Sequence, residues 1–183
     1  MNDGPPRSVI TIEDPIEVLH SDRGCVINQR EVGLDTDSIA DGLARVLRHD
    51  PDVVMIGALD DPRALEVALD AAANGVLVIA ALTTADPSEA IERLVALAPS
   101  VRRRAVRVAL AGCVRAVVGQ RLVAREDGRG RRADARIVTG GEDVRRLVLA
   151  GAGAYAAGPA PFAVDAGSTP DAMAVGSATA TSR

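Results

Sequence analysis

Short apolar runs alternate with segments of helical periodicity over the first half of the chain. Three runs contain β-branched and aliphatic residues without polar alternation, which is typical of strands covered on both faces. Between and after these runs, apolar residues recur at spacings of three and four, as in amphipathic helices. Strands that alternate with helices predict a parallel α/β sheet. The predicted strands are 9–12, 53–56 and 76–82, and the clearest helical patterns are 39–47 and 65–72.

Two helices carry start signals at the level of single residues. Asp61 precedes a proline, so it is suited to be an N-cap with proline in the first turn. Asp86 also precedes a proline, and Glu89 follows three residues later, as in a capping box. Both signals follow a predicted strand, which supports the alternation of strands and helices.

The character of the chain changes after residue 99. Short strands are predicted over 120–124 and 136–139, and a last helix over 142–150 with Gly151 as its stop. These elements predict a helical layer that follows the sheet. Before them, Ser100 is expected to cap a long helix with one apolar stripe formed by Val106, Leu110, Cys113, Val114 and Val117.

The two ends of the chain differ in composition from its middle. Residues 151–183 are rich in Ala, Gly, Pro, Ser and Thr, and such a segment buries too little apolar surface to offset its chain entropy. We therefore expect a disordered tail over 151–183 and a short disordered N-terminus over 1–8. A single domain, 9–150, remains between them.

Composition narrows the classes of function. The chain has 183 residues, 48% hydrophobic and 25% charged, which is enough for one domain with a core. Only 1% of the residues are aromatic and the net charge is −4, so base stacking and nucleic-acid binding are not expected. A local basic run, interpreted as a solvated helix face, consists of Arg102, Arg103, Arg104, Arg107 and Arg115. All 21 basic residues are arginine, so these residues alone offer no lysine for a Schiff base or for gripping phosphate.

Cysteine usage and the absence of long apolar stretches suggest an intracellular protein. Cys25 and Cys113 are far apart and lack the spacing of metal ligands, so we expect free thiols and no metal site. No apolar stretch approaches the roughly 18–20 residues of a membrane span, and residues 1–8 have no signal-peptide pattern. The sequence predicts a soluble cytoplasmic protein.

Acidic residues follow two of the predicted strands. Glu13, Asp14 and Glu17 come directly after the first strand, at the end of a parallel sheet where ligands bind. Carboxylates there could face a nucleotide and its metal, or could form a polar turn, and both interpretations stay open. The second strand ends at Gly57 and is followed by Asp60 and Asp61, as in a Walker B strand but also as in many strand–helix loops.

Several of these segments together resemble a known family. The sequence TIEDPIE over 11–17, NQREV over 28–32 and LRHDPD over 47–52 before an apolar strand are similar to signatures of the type II/type IV secretion ATPases. The closest resemblance is to the type IV pilus retraction motors. It continues through 72–82, 120–122 and 144–147, and so covers 9–150 in unbroken order. Several motifs in register are more specific than one motif alone.

The resemblance implies a partial RecA-like P-loop NTPase core of a hexameric motor that uses Mg-ATP. The implied partners are full-length pilus or secretion ATPase subunits and, through them, the pilus platform at the inner membrane. For Arg30 and Arg48 of these motifs, an ordinary salt bridge is the alternative role. The resemblance implies catalytic acids at Glu13, Asp14, Glu17 and Asp61, and nucleotide contacts at Arg30, Arg48, Gly57 and Thr84.

Three departures from the family pattern change the functional expectation. Only residues 1–8 precede the acidic motif, where the resemblance implies a phosphate loop with its lysine. Ala58 stands where a water-polarising glutamate is expected, and Thr83 where a histidine is expected. We therefore expect a chain that is defective in ATP binding and hydrolysis on its own. Whether Asp60 or Asp61 replaces the missing glutamate stays open. The alternatives are a non-catalytic regulatory or scaffold subunit that docks on such a motor, and the remnant of a decaying gene.

Overall fold

A four-stranded parallel sheet forms the centre of the fold and confirms the predicted α/β class. The computed structural model describes residues 1–125, 128–139, 141–151 and 163–165. The order of the strands is β2-β1-β3-β4, and every pair is parallel. The four strands are β1 Ser8–Glu13, β2 Val26–Glu31, β3 Val53–Ile56 and β4 Leu77–Ala80.

Strand β2 is absent from the sequence prediction. It has the sequence VINQRE, whose polar residues do not match the apolar pattern that predicted the other strands. Polar residues are tolerated here because β2 lies at the edge of the sheet, where one side of the strand meets solvent. It pairs with β1 along its full length, from Val26 beside Ser8 to Glu31 beside Glu13. The predicted strand 76–82 is confirmed in its centre, since β4 is shorter by one residue at its start and two at its end.

The described residues form five α-helices, and the predicted caps Asp61 and Asp86 are present, whereas Ser100 opens a 3₁₀ turn and caps no helix. Ser38, Asp61 and Asp86 are the N-caps of α1, α2 and α3, and each side chain accepts a backbone N–H from the first turn. Proline stands in the first turn of α2 and α3, as predicted. The helices are α1 Ile39–Val46, α2 Pro62–Ala73, α3 Pro87–Leu97, α4 Arg103–Cys113 and α5 Gly141–Ala150.

The prediction of one long helix from Ser100 through Val117 is wrong. A 3₁₀ turn covers Ser100–Arg102, and α4 ends at Cys113 because Val114 adopts an extended conformation with φ −66° and ψ 128°. Val117 belongs to strand β5, Ala116–Ala124. The β-branched valines at this point favour a strand, and this strand pairs over nine residues with the next strand of the chain.

An antiparallel hairpin completes the described fold. Strand β5 pairs with β6 (Arg131–Thr139), so the short strands predicted at 120–124 and 136–139 are longer than expected. Gly151 follows α5 with φ +73°, which confirms it as the stop of that helix. Within the predicted disordered tail, the structure describes Gly151 and strand β7, Ala163–Asp165, which pairs with β6. The remaining residues of the tail lie outside the described part of the chain.

The first residues of the chain make contacts with the loop that leads into β2. Ser8 opens strand β1, and the Asn2 carbonyl accepts the Gly24 N–H at 2.7 Å. The Asn2 side chain also accepts the Cys25 N–H at 3.3 Å. These contacts hold the N-terminal segment against the loop that leads into β2.

The main core lies between one face of the sheet and the helices. The β1 and β3 residues on this face are Ile10, Ile12, Val54 and Ile56, each 5% exposed or less, and they share a buried cluster with side chains from all five helices. Gly42 of α1 lies so close to Ile12 that an added Cβ would stand 3.2 Å from its Cγ2 atom. None of the helices in the described part of the chain has the length and hydropathy of a membrane span.

Candidate functional site

The predicted acidic residues gather at the carboxyl edge of the sheet, where β1, β2, β3 and β4 end. Glu13 is the last residue of β1 and lies beside Glu31, the last residue of β2. The Gly57 N–H donates to the Ile12 carbonyl at 2.8 Å, which ties the end of β3 to β1. A Cβ on Gly57 would stand 3.3 Å from the Glu13 Cα atom, so glycine permits this close approach.

The Glu13 carboxylate is buried and hydrogen-bonded on one oxygen. Its residue is 7% exposed. Oε1 accepts the Thr11 hydroxyl at 2.6 Å and the Gln29 amide at 2.9 Å. Both bonds use Oε1, so Oε2 keeps its acceptor capacity for water or a cation. Burial of a carboxylate is tolerated here because two donors compensate for the lost hydration.

Strand β2 holds the acidic loop 14–20 in place. The Gln29 amide nitrogen also donates to the Val18 carbonyl at 2.9 Å, and its oxygen accepts the His20 N–H at 2.7 Å. The Glu31 carboxylate accepts the Ile16 N–H at 3.0 Å. The sequence prediction missed the roles of Gln29 and Glu31, although both lie in the NQREV motif that it singled out.

Within this loop, the two remaining predicted acids face solvent. Asp14 and Glu17 are exposed, while Glu13 beside them is buried. The peptide bond between Asp14 and Pro15 is cis. The carboxyl edge therefore presents one buried carboxylate on the strand and two exposed ones on the loop held by β2.

The exit of β3 offers little acid–base chemistry. Ala58 follows Gly57 and carries only a methyl group, and the Leu59 N–H donates to the Ala81 carbonyl at 2.9 Å. Asp61 uses Oδ2 to accept the Ala64 N–H at 2.8 Å, so this carboxylate caps helix α2. Asp60 is exposed. The predicted catalytic acid Asp61 thus has a structural role in starting the helix.

The exit of β4 is bound to the antiparallel hairpin. The Thr84 hydroxyl accepts the Asp86 N–H at 3.4 Å, and Asp86 also caps helix α3. The second Asp86 oxygen accepts from Arg136 of β6 at 3.4 Å. A Cβ on Gly119 of β5 would lie 2.0 Å from the backbone oxygen of Ala85. Thr84 therefore lies at the carboxyl edge, in a loop that is packed against the hairpin.

The two predicted phosphate-facing arginines lie at opposite edges of the sheet. Arg30 pairs with Ile12 in the register of β2 and β1, one residue from the carboxyl edge. Its Nε atom is buried and has no hydrogen-bond partner among the described residues. Arg48 is exposed in the 3₁₀ turn that leads into β3, at the amino edge. Because parallel strands share their direction, the structure does not bring Arg48 to the acids.

The described residues contain no group of three or more His, Cys, Asp and Glu side chains that could hold a metal ion. The ionisable groups with clear pKa shifts also lie elsewhere. Burial raises the pKa of the Cys113 thiol in α4, and the hydrogen bond from Ser38 lowers the pKa of Asp41 in α1. The carboxyl edge therefore has the donors and acceptors for a ligand contact without a preformed metal cage.

A parallel sheet with acids at its carboxyl edge, in this order of motifs, defines a protein of the secretion ATPase class. The family model described as type II/IV secretion system protein matches residues 3–152, and the chain belongs to this family. The chain is 38% identical over 148 residues to a twitching motility protein of Neisseria gonorrhoeae, covering 81% of this chain and 40% of that protein. It is 35% identical to the type IV pilus retraction ATPase PilT of Pseudomonas aeruginosa, covering 81% and 43% respectively.

Solved structures of the same class share the fold. The pilus retraction motor PilT with bound ADP matches at a TM-score of 0.74 and 37% identity, over 80% of this chain and 43% of that chain. The ATPase DotB of Legionella pneumophila matches at 0.71 and 30% identity, over 79% and 40%. The resemblance found in the sequence and the RecA-like fold are therefore confirmed. The chain spans about two fifths of the length of these relatives.

Proposed function

We propose that this chain is a non-catalytic member of the pilus and secretion ATPase family that associates with complete motor subunits. The observation that carries the proposal is the exit of β3, where Ala58 replaces the glutamate that the family resemblance implies. Phosphoryl transfer to water needs a group that orients or deprotonates the attacking water, and a methyl group does neither. Asp61 does not fill the role as placed, because its carboxylate already caps α2.

The residues at the carboxyl edge are nevertheless better suited to contact a nucleotide than to hydrolyse it. Mg-ATP, when bound, would supply the phosphoryl group and the metal charge. Magnesium keeps several waters and needs one or two protein carboxylates, and Glu13, Asp14 and Glu17 offer such oxygens. The buried Arg30 Nε–H has no hydrogen-bond partner among the described residues, and its register with Ile12 places Arg30 on the helix-covered side of the sheet, opposite the Glu13 side chain. None of the 183 residues is a lysine that could bind the phosphates.

The expected location follows from the same proposal. A chain of this kind works in the cytoplasm as part of an oligomer with full-length pilus or secretion ATPase subunits. It reaches the pilus platform at the inner membrane only through those partners. Net charge of −4 gives no support for a nucleic-acid partner.

Phosphate release and nucleotide binding by the isolated chain test the proposal. We expect no magnesium-dependent phosphate release above background. A fluorescent ATP analogue is expected to bind weakly, with a loss of signal in Glu13→Gln. Ala58→Glu restores the missing carboxylate, and Ala58→Gln is its matched control of equal size without a base. Magnesium-dependent release by the wild-type chain that disappears in Glu13→Gln would show that the chain is an enzyme.

A further inference from the structure

The outer side of α4 is apolar and meets solvent. Helices at a protein surface normally turn polar residues toward water. Val101, in the turn before α4, is 89% exposed, and Val108 within the helix is 59% exposed. Ala105 and Gly112 are also exposed, and spacings of four, three and four residues place the four on one side of the helix. We call this surface the outer stripe, and it consists of Val101, Ala105, Val108 and Gly112.

The opposite side of α4 makes the contacts that hold the helix in the fold. Val106 and Leu110 are 7% and 3% exposed and belong to the main core. Helix α4 packs against α2, α3 and α5. A Cβ added to Gly112 would meet no neighbouring element within 4 Å. In the part of the chain that the structure describes, the outer stripe is therefore without a partner.

A groove lined by arginines borders the outer stripe. It lies between α3 and α4 and has a volume of about 390 Å³. Arg104 in this groove lies one helical turn before Val108 of the stripe, so the two surfaces are continuous. Glu92 is the one acid of the lining, and both of its oxygens accept from Arg107. The lining residues are Glu92, Val95, Ala96, Arg103, Arg104 and Arg107.

The two other arginines of the groove are not neutralised by an acid among the described residues. Arg103 donates to backbone carbonyls, those of Ala98 at 3.2 Å and Ala96 at 3.5 Å. Arg104 has no hydrogen bond or ion pair with any residue that the structure describes. The sequence of α4, RRAVRVALAGC, contains no acid. An occupant of the outer stripe therefore meets uncompensated positive charge along one flank.

These features define the chemistry of the occupant. The apolar side of a second helix matches an apolar stripe, and carboxylates match free guanidinium groups. Two copies of this chain that met through their stripes would bring arginine against arginine. An anionic membrane is a poorer match, since helices that lie on membranes insert Trp, Phe or Leu, whereas the outer stripe has only Val, Ala and Gly. Small side chains instead let a partner helix approach closely.

We propose that the outer stripe docks an acidic amphipathic helix of a partner protein. The apolar side of that helix covers Val101 and Val108, and its carboxylates pair with Arg103 and Arg104 in the groove. The interaction goes beyond the proposed function, because it uses neither the carboxyl edge of the sheet nor a nucleotide. It holds whether or not the chain hydrolyses ATP.

A synthetic peptide tests the docking on the full chain. The probe is a fluorescent peptide of about three heptads, with leucine and alanine on one side and glutamate on both flanks of that side. We expect saturable binding by fluorescence anisotropy at concentrations up to about 100 μM, and weaker binding as salt is raised. Arg104→Glu and Val108→Asp should each weaken binding about tenfold or more. Arg48→Glu and Leu34→Asp are the matched controls, since they make the same changes at exposed residues outside α4 and should bind as wild type does.

The outcomes separate the docking proposal from its alternatives. Absence of saturable binding by the wild-type chain overturns the proposal, as does equal binding of a peptide whose glutamates are replaced by glutamine. It is also overturned if Arg104→Glu or Val108→Asp binds as tightly as its control. Circular dichroism checks folding, and Arg104→Gln or Val108→Gln replaces a variant that has lost its helical spectrum.

Two other occupants would give different results. Binding of phosphatidylglycerol vesicles without binding of the peptide would identify a membrane as the occupant. A dimer of the chain alone that Val108→Asp dissociates would identify a second copy. Either result overturns the proposal. The assays contain no nucleotide, so phosphate release by the chain would contradict the proposed function without changing the docking result.

Discussion

Replacing Arg107 by methionine tests how the last three helices are held together. Arg107 of α4 donates from both terminal nitrogens to the two oxygens of Glu92 on α3, at 2.9 and 2.7 Å. The same Nη1 atom donates to the Val148 carbonyl of α5 at 2.8 Å, close to the end of that helix. One guanidinium group therefore connects α3, α4 and α5, and methionine keeps most of its apolar stem while removing all three bonds.

The expected loss follows from the exposure of the two side chains. Arg107 is 23% exposed and Glu92 is 37% exposed, so the ion pair lies between an exposed pair and a buried one. We assign about 1 kcal/mol to the pair after solvent screening and about 1 kcal/mol to the bond with the Val148 carbonyl. The total of about 2 kcal/mol corresponds to a decrease in Tm of about 4–8 °C for a chain of this size.

The pH dependence of this loss has a definite sign. The hydrogen bond with Glu92 raises the pKa of Arg107 above its ordinary value. A raised pKa in the folded state gives stability that is complete below the unfolded pKa and is lost only as pH rises through the folded pKa. Since both values lie far above neutrality, the effect of Arg107→Met should be the same at about pH 7 and about pH 9.

Thermal and urea unfolding followed by circular dichroism measure the effect. Arg104→Met is the matched control, because Arg104 lies one turn earlier on α4 and is exposed. Its expected change is within about 0.5 kcal/mol of wild type. Arg107→Lys should fall between wild type and Arg107→Met, since lysine cannot make the paired contact. Equal stability of Arg107→Met and Arg104→Met would refute the connecting role of the guanidinium.

Three further substitutions test local features of the fold. Ser38→Ala removes the acceptor for a first-turn amide of α1, which costs about 1 kcal/mol in urea unfolding. The Ser38 hydroxyl is the main cause of the lowered pKa of Asp41, so this pKa should rise in Ser38→Ala. The stability linked to Asp41 is present above the ordinary pKa of the carboxyl group and is lost as pH falls through the folded value. A carboxyl NMR titration measures the pKa, and an unchanged pKa would contradict the role of the hydroxyl. Asp61→Ala should lower stability by about 1 kcal/mol, whereas Asp61→Asn keeps the cap. Equal losses of stability for the two variants in thermal melts would contradict the capping role of Asp61. Gly119→Ala places a Cβ 2.0 Å from a carbonyl oxygen and should cost about 3 kcal/mol, whereas Gly112→Ala in α4 meets nothing within 4 Å and should be neutral or stabilising by up to about 1 kcal/mol.

Capping residues and apolar runs in the sequence correctly predicted several helix starts and strands. The caps Asp61 and Asp86 start helices where the sequence placed them, because the carboxylate accepts a first-turn N–H and the φ of proline suits the first turn. The apolar runs of β1 and β3 were found because both faces of these strands carry aliphatic residues. Strand β2 was missed since its polar side chains make contacts that only the tertiary structure supplies, such as the bonds of Gln29.

The sequence indicated that some of the candidate site residues share one edge of the sheet, and their functional roles stay predictions. Motif order brought Glu13 and Gly57 to one edge, because the exits of parallel strands coincide. Arg48 precedes β3 and so lies at the opposite edge, which already follows from the predicted parallel sheet but was not considered when the family resemblance assigned Arg48 to the nucleotide. The sequence could not show that Asp61 is occupied as a cap, because a capping acid and a catalytic acid have the same side chain.

The residues that hold the sheet together are distinct from those that its carboxyl edge needs for chemistry. Ile12 and Ile56 are fully buried against the helices, and their loss would open a cavity in the core. Ala58 and Thr83 lie beyond the strand ends, outside that cluster, so the residue types at these two positions leave the packing of the sheet unchanged. A chain of this family can therefore keep the fold when the residues at these two positions change. For this reason the match to the family model establishes the family, whereas the activity has to be tested at Ala58 and Glu13.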